Sequence, residues 1–301
     1  MKTPLIAIYW VLLTSATLAQ AAVGLTVLPS TGQRGPVTVF YPSSSAALAT
    51  TRGPFTVNVA VDGGPSLGNR RLVVFSHGSG GSPWPHTDFA TSLVNAGFIV
   101  AMPEHAGDNH KDRSNVGPAT WKLRPHEVSQ ANFKRHCLAH MREDFPACVG
   151  LITSLKGNWL DPVKLAGAGW VHRMRFNDEA WQSHTDPRIK AVIASVPIAA
   201  PIDMASIAQP RIAVALLQSA FDPWLAPRFH SLKVQSACVS CVDIPNLPHS
   251  GHGTLMSPWP QELAHRLTPL LVDPPGFDRR QLPVVYGRMT EFFKVKLSTA
   301  Q

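Results

Sequence analysis

Four polar segments of this 301-residue sequence carry residue types that can move protons or hold negative charge, and each follows a short apolar run. Residues 76–81 are Ser-His-Gly-Ser-Gly-Gly, and their glycines let a backbone turn tightly with its N–H groups pointing outward. Outward N–H groups can stabilise an oxyanion, although a glycine-rich turn without a chemical role fits the same pattern. Residues 103–110 are dense in polar groups, which suits either the wall of a site or a polar loop.

The other two segments hold a carboxylate and an imidazole. Asp222 follows the apolar run that ends at Leu217, and His252 lies between two glycines after the run that ends at Ile244. A carboxylate can orient a histidine, and a histidine flanked by glycines can approach a substrate closely and act as a general base. Taken singly, each is more often a capping aspartate or a surface histidine. Their order along the chain, with an oxyanion loop first, then an acid and then a histidine, is the arrangement of α/β-hydrolases.

The apolar runs themselves predict the elements that position these segments. Short continuous apolar runs are typical of strands buried on both faces, and residues 86–95 between two of them have helical spacing. Strands separated by helical patterns predict an α/β fold, with a mostly parallel sheet covered by helices on both faces. The predicted strands are Val37–Tyr41, Phe55–Val61, Leu72–Ser76, Gly97–Met102, Ile189–Val196, Ile212–Leu217 and Cys238–Ile244. No repeat or linker interrupts the chain, so we expect residues 22–301 to form one domain.

The N-terminal residues 1–21 have the pattern of a secretory signal peptide. Lys2 provides positive charge, Leu5–Leu18 is an apolar stretch, and Ala19-Gln20-Ala21 is a cleavage site of small residues. An uncleaved membrane anchor is the alternative, but the stretch is short for a spanning helix, which needs about 20 residues. The sequence therefore predicts an exported protein, periplasmic or secreted, without a stable membrane anchor after cleavage.

The composition excludes several classes of protein. The chain is 45% hydrophobic and 15% charged, whereas an intrinsically disordered chain is rich in charge and poor in apolar residues. Four cysteines are too few for a small disulfide scaffold. The net charge is +8, but the cationic residues are scattered singly or in pairs, so we expect no nucleic-acid partner.

The four cysteines form two candidate disulfides in an oxidising compartment, Cys137 with Cys148 and Cys238 with Cys241. A redox site or half of a zinc site would also explain the second pair. A redox pair should open a helix after a strand, whereas this pair lies in a valine-rich run that suggests extended structure. No second C-x-x-C completes a set of four thiolate ligands, so the sequence favours a structural disulfide and no metal.

The first of the polar segments and the strands around it resemble a known family. The resemblance is carried by residues 72–109, LVVFSHGSGGSPWPHTDFATSLVNAGFIVAMPEHAGDN. This stretch is similar to the exported, dienelactone-hydrolase-like branch of the α/β-hydrolases, which is also similar to platelet-activating-factor acetylhydrolases. The similarity continues through residues 124–129 and 186–189 to Asp222 and His252.

The resemblance implies a serine hydrolase that cleaves small-molecule carboxylic esters or lipid-like substrates and needs no metal or organic cofactor. It further implies that Asp222 is the acid of a catalytic triad and that His252 is the base. The N–H groups around Ser79 and Gly80 would provide half of the oxyanion hole.

The nucleophile that such an enzyme needs is not found where it is expected. It should lie on a G-x-S-x-G elbow between Asn109 and Asp222, and no serine there fits. The one match, residues 64–68, lies between two predicted strands, so we interpret it as a turn. Two explanations stay open: a degenerate elbow at residues 164–170 with glycine in place of serine, or the loss of about 25–40 residues between residues 130 and 131.

Either explanation predicts an impaired enzyme, because a serine hydrolase without its nucleophile retains only the catalysis due to binding and the oxyanion hole. If the central strand is also lost, we expect low stability or a rearranged sheet centre, with residues 163–168 as a possible replacement. The alternative function is a non-catalytic α/β-hydrolase-like protein that binds an ester or lipid-like ligand in the old cleft.

Overall fold

In the computed structural model, the described residues are 22–30, 35–114, 128–129, 181–182, 186–200, 202–245, 247–267 and 270–298. Their strands are β1 (Ala22–Leu28), β2 (Val37–Ser43), β3 (Leu48–Arg52), β4 (Phe55–Val61), β5 (Leu72–Val74), β6 (Ile99–Pro103), β7 (Val128–Ser129), β8 (Trp181–Gln182), β9 (Ala191–Ser195), β10 (Ala213–Leu217) and β11 (Val242–Ile244). Their α-helices are α1 (Thr87–Asn95), α2 (Ser231–Ala237) and α3 (Leu282–Ser298). Short 3₁₀ helices cover Trp84–His86, Gln261–Arg266 and Arg279–Gln281.

The first six strands form a mixed sheet in the order β3-β4-β1-β2-β6-β5. β1 pairs in parallel with β4, and β5 pairs in parallel with β6. The other neighbours in this sheet are antiparallel. Side chains alternate across a strand, so β4 buries Phe55, Val57 and Val59 while the residues between them face solvent. Helix α1 packs on this sheet with Phe89 and Leu93, which are one turn apart on its buried face.

The second sheet has three parallel strands in the order β11-β10-β9. The central strand β10 buries Ala215, Leu216 and Leu217, as its continuous apolar run predicts. Helix α2 covers this sheet with Val234, which packs against Leu216. The carboxyl ends of β10 and β11 meet at one edge, and the loops that follow them carry Asp222 and His252.

Among the described residues, β5 is an end strand of the six-stranded sheet and β9 is an end strand of the three-stranded sheet, and no described strand joins the two sheets. Leu72 and Val74 of β5 are 55% and 61% exposed, so one face of this strand is open to solvent. The residues of β9 are half-buried except for exposed Ser195. The prediction that the central strand is absent or replaced falls on residues outside the described ones and stays a prediction.

A common apolar core nevertheless joins the two sheets. It includes Val73 and Val100 from the first sheet and Leu217 and Ile244 from the second. Helix α3 packs against α1, β9 and β11, and its Met289 belongs to the same core. The link between the sheets in the described part of the chain is thus made through this core and α3.

The α/β-hydrolase-like fold predicted from the sequence is confirmed in its mixed sheet and covering helices. One predicted strand, Cys238–Ile244, is wrong in its first half. Cys238 directly follows α2, and a disulfide to Cys241 closes a turn whose Val239 is 89% exposed, so the strand begins only at Val242. Strands β1 and β3 and helices α2 and α3 were not predicted.

Several predictions concern residues outside the described ones. These are the signal peptide 1–21, the pair Cys137 and Cys148, the segments 163–168 and 164–170, and the junction of residues 130 and 131. Within the described residues, no helix is long and apolar enough to cross a bilayer.

Candidate active site

Asp222 and His252, predicted as acid and base, are brought together by the loops after β10 and β11. The His252 Nδ1–H donates to Asp222 Oδ2 over 2.7 Å. The other carboxylate oxygen of Asp222 accepts from the N–H groups of Trp224 at 2.7 Å and Leu225 at 2.9 Å. With Nδ1 bound to the carboxylate, the second ring nitrogen of His252, Nε2, is the one that can accept a proton from a substrate or nucleophile.

The environment of Asp222 keeps it ionised. Burial opposes the charge, since the side chain is fully shielded from solvent, but the hydrogen bond and charge of His252 favour it. The N–H groups of Leu225 and Trp224 add to this stabilisation, and the net effect is a pKa of Asp222 below its ordinary value. A buried carboxylate that stays charged can hold the imidazole in one tautomer and stabilise its protonated form.

Hydrogen bonds between the acid loop and the histidine loop fix their relative position. Ser219 donates its hydroxyl to the carbonyl of Gly251, and the N–H of Phe221 donates to the carbonyl of Ser250 over 2.8 Å. The N–H of Ala220 also donates to the Ser250 hydroxyl, over 3.2 Å. The pairing of Asp222 with His252 thus rests on backbone contacts as well as on their own hydrogen bond.

The two glycines beside His252 have a packing role that the sequence does not reveal. A Cβ at position 251 would lie 2.8 Å from Pro274 Cδ, and a Cβ at position 253 would lie 3.0 Å from the Cα of Leu271. Real Cβ atoms rarely approach other atoms so closely. The glycines therefore let the histidine loop pack against residues 271–274, besides any effect on the approach of a substrate.

Helix α3 and the segment before it also hold the histidine loop. Tyr286 donates its hydroxyl to the carbonyl of Leu255 over 2.9 Å. Arg279 donates to the carbonyl of Met256 over 2.7 Å while its guanidinium pairs with Asp273. Neither Arg279 nor Tyr286 was predicted as part of the site, because nothing in their local sequence points to a loop 23 and 31 residues away, respectively.

The predicted oxyanion loop binds a carboxylate of the chain itself. The Ser79 hydroxyl and the Gly80 N–H both donate to Asp108 Oδ1, at 2.8 Å and 2.7 Å. Gly80 has a φ of +64°, a left-handed conformation that suits glycine, and the Arg113 guanidinium lies over it. The loop thus has the anion-binding character that the glycines predict, but in this arrangement the Gly80 N–H is occupied by Asp108.

No serine hydroxyl of the described residues hydrogen-bonds the His252 imidazole. Ser66, in the one G-x-S-x-G match, lies in the loop between β4 and β5, where its N–H donates to the carbonyl of Pro42. Its hydroxyl is buried and has no hydrogen-bond partner. A turn without contact to His252 agrees with the interpretation of this match as accidental.

The Cys238–Cys241 disulfide predicted from the sequence is present, with Cα atoms 5.4 Å apart. It joins the end of α2 to the start of β11 and so lies at the opposite end of that strand from the His252 loop. Both cysteines are oxidised and no cysteine among the described residues is free. Those residues also contain no group of three or more His, Cys, Asp or Glu side chains that could hold a metal ion.

Comparisons with known proteins support the fold rather than a particular activity. No protein-family model matches the sequence, and no curated protein matches it. Among solved structures, the chain is similar to a ferulic acid esterase from Streptomyces cinnamoneus, with a TM-score of 0.52 and 17% identity over 94% of this chain and 92% of that one. At this identity the likeness concerns the fold alone. It supports the α/β-hydrolase-like fold predicted from the sequence, but not the narrower dienelactone-hydrolase-like branch.

Proposed function

We propose that this protein is an impaired carboxylic-ester hydrolase, of the branch that is similar to dienelactone hydrolases. The hydrogen bond of Asp222 to His252, at the strand ends of an ester-hydrolase-like fold, is the observation that carries the proposal. This pair can take a proton from an attacking hydroxyl or water and return it to a leaving alcohol. We expect its activity to be weak, because no serine between Asn109 and Asp222 lies in a G-x-S-x-G motif.

Hydrolysis of small esters by the purified full chain tests this proposal. The substrates are p-nitrophenyl acetate, p-nitrophenyl butyrate and methyl ferulate, the last because the similar structure is a ferulic acid esterase. We expect slow hydrolysis, with kcat/KM reduced by about 100-fold or more in His252→Ala, the usual contribution of a general base. His110→Gln, which removes an exposed histidine from another loop, is the matched control. Equal rates for wild type and His252→Ala would contradict the proposal.

A non-catalytic binding protein is the second candidate, and a cavity favours it. It is an open depression of about 460 Å³ beside the turn that carries Asp222, and its walls are mainly apolar. Its walls are Phe221, Pro223, Leu267, Val272, Asp273, Pro274 and Pro275. A pocket of this size with few polar groups suits a small ester or lipid-like ligand.

Binding of a non-hydrolysable ether analogue of p-nitrophenyl butyrate, measured by calorimetry, separates the two candidates. The binding function predicts saturable binding without any ester hydrolysis, and at least a tenfold loss of affinity in Val272→Asp, which places a charge in the apolar wall. Hydrolysis that depends on His252 would instead favour the enzyme.

We also propose that the protein is exported after cleavage near residue 21. The predicted cleavage site immediately precedes β1, and a structural disulfide is compatible with an oxidising compartment. N-terminal sequencing of the protein recovered from the periplasm or the medium tests this: a first residue near Ala22 is expected, and an intact residue 1 would contradict it.

A further inference from the structure

A serine and a histidine that the predicted triad does not use lie together at the ends of β5 and β6. Ser76 follows β5 by two residues, and His105 follows β6 by two residues. These strands are parallel neighbours, so their carboxyl ends meet at one edge of the sheet. The Ser76 hydroxyl oxygen and His105 Nε2 are 2.8 Å apart, which is hydrogen-bond distance.

The backbone at the end of β5 directs Ser76 away from the core. The Phe75 N–H donates to the carbonyl of Ala101 over 2.9 Å and so extends the pairing of β5 with β6 by one residue. The Phe75 ring packs against the rings of His86 and Phe89. Since successive side chains of an extended chain point to opposite faces, Ser76 is directed to the other side, where it is exposed.

His105 is held in place at both ends of its backbone. Its N–H donates to His77 Nε2 over 3.3 Å, and its carbonyl accepts from the side-chain amide of Asn109 at 2.8 Å and from the N–H of Asp108 at 3.2 Å. The His77 ring also meets the His105 ring edge to face, with ring centres 4.6 Å apart. A base that is already fixed at hydrogen-bond distance from a hydroxyl needs little reorganisation before proton transfer.

Both ring nitrogens of His77 have hydrogen-bond partners in the backbone. Its Nδ1 lies 2.7 Å from the carbonyl oxygen of Gly78, which can only accept, so Nδ1 carries the proton. Its Nε2 accepts from the His105 N–H over 3.3 Å. His77 therefore acts as a rigid support for His105 rather than as a second base.

The loop after Ser76 offers donors for a developing negative charge. In the part of the chain that the structure describes, the N–H groups of Gly78 and Ser79 donate to no protein acceptor. A Cβ built on Gly78 would meet no atom within 4 Å, so there is open space beside this backbone. Backbone N–H groups next to open space are the usual parts of an oxyanion hole.

We propose that Ser76 is a nucleophile and His105 its general base, forming an acyl-accepting site separate from the Asp222–His252 pair. The proposal goes beyond the function proposed above, because it concerns two other residues. His105 Nε2 takes the hydroxyl proton as Ser76 Oγ forms a bond to the ester carbonyl carbon. The bond to the alcohol oxygen then breaks, and His105 returns the proton to that oxygen. Water, deprotonated by His105, next hydrolyses the acyl-serine and restores the hydroxyl.

Labelling of the full chain by a fluorophosphonate, followed by peptide mapping, tests the site directly. In this reaction Ser76 Oγ forms a bond to phosphorus, the P–F bond breaks, and the hydroxyl proton passes to His105. We expect the phosphonyl group on Ser76, no labelling of that peptide in Ser76→Ala, and at least about a 100-fold slower reaction in His105→Gln. Ser114→Ala and His110→Gln remove exposed residues near the same loop and serve as matched controls with unchanged labelling.

A cysteine at the same position provides a second readout that does not depend on an ester. In Ser76→Cys, the imidazole of His105 should promote ionisation of the thiol, so we expect alkylation by iodoacetamide at pH 7 to be at least tenfold faster than in Ser114→Cys. Adding His105→Gln to Ser76→Cys should remove this difference. Circular dichroism of every variant establishes that it is folded.

The outcomes separate this site from the function proposed above. A label on a serine other than Ser76 overturns the Ser76–His105 site and leaves an ester hydrolase with a different nucleophile. No label anywhere, together with equal alkylation rates of the two cysteine variants, also overturns the site. The role of His252 is judged separately, from ester hydrolysis by His252→Ala in a Ser76→Ala background, where the second site cannot contribute.

Discussion

At the scale of single residues, the site depends on groups whose charge the fold controls. Asp222 is kept ionised by His252 and by two backbone N–H groups although its side chain is shielded from solvent. For His86, in contrast, the fold favours the neutral form. Burial, and to a smaller extent nearby His77, lower the pKa of His86 from 6.5 to about 3, so its imidazole is neutral at pH 7. Each residue therefore links the stability of the fold to pH in its own range.

Asp222→Asn tests the carboxylate. At pH 7 we expect the free energy of unfolding to fall by about 2 kcal/mol, as for the loss of hydrogen bonds to a charged group. Because the folded-state pKa of Asp222 lies below its ordinary value of 3.8, its stabilising effect is complete above that value and is lost as the pH falls through the lower one. Urea unfolding at several pH values should show that the difference in free energy of unfolding between wild type and Asp222→Asn becomes smaller as the pH falls into the acid range. A difference in free energy of unfolding that stays constant with pH would contradict the idea that the ionised Asp222 carboxylate provides the stabilisation.

His86→Gln tests the half-buried imidazole in a different pH range. As the pH falls below 6.5, the unfolded chain binds a proton at His86, but the folded chain does so only near pH 3. The wild type should therefore lose stability between these values, and the variant should lose less over the same interval. Urea unfolding at half-unit pH steps measures how steeply the free energy of unfolding changes with pH in the wild type and in the variant. Parallel slopes would mean that His86 is already protonated in the folded protein or does not titrate differently from the unfolded chain.

At the scale of elements, α3 links the histidine loop to the core. Its Tyr286 hydroxyl binds the carbonyl of Leu255, and burial raises the pKa of Tyr286, which keeps the phenol protonated as a donor. The same helix packs against both α1 and the second sheet. A helix with these contacts sets the position of His252 indirectly, through the loop that carries it.

Two neighbouring valines of α3 give a matched test of its packing. Val285 is 2% exposed and Val284 is 59% exposed, so the same substitution removes buried methyl groups at one position and exposed ones at the other. We expect Val285→Ala to lower the free energy of unfolding by about 2 kcal/mol, which includes the cavity left behind. Val284→Ala should change it by less than about 0.5 kcal/mol. Equal effects in urea unfolding would mean that α3 does not pack as described.

At the scale of the whole molecule, two sheets share one core without a strand pairing between them in the described residues. The first sheet ends at β5 and the second at β9, and hydrogen-bonding groups at these edges are not paired with a described strand. Edge strands open more readily than central ones, because their backbone groups are less protected. The predicted loss of the central strand falls outside the described residues and stays a prediction.

Hydrogen exchange followed by mass spectrometry tests this description. We expect amides of β1 and β2, in the middle of the six-stranded sheet, to exchange slowest. Amides of β5 and β9 should exchange at least about tenfold faster, since each lies at a sheet edge. Protection of β5 and β9 equal to that of β1 and β2 would show that both edges are sealed, and would contradict the expected loss of the central strand.

The sequence by itself determined the α/β class, the approximate places of most strands around the site, the disulfide of Cys238 with Cys241, and Asp222 and His252 as candidates. These features depend on short apolar runs and on the loops directly after them, so local spacing is enough to find them. The strand predicted over Cys238–Ile244 was too long at its start. The turn that the disulfide closes shortens the strand, and hydrophobicity alone does not reveal such a turn.

Only the tertiary structure decided which polar groups meet. Asp108 reaches the Ser79–Gly80 loop, and Ser76 reaches His105, across 28 and 29 residues of chain. Both contacts exist because β5 and β6 are parallel neighbours, so the loops after them lie side by side. The role of the glycines beside His252 was hidden for the same reason: it depends on the close approach of residues 271–274, which are distant in sequence.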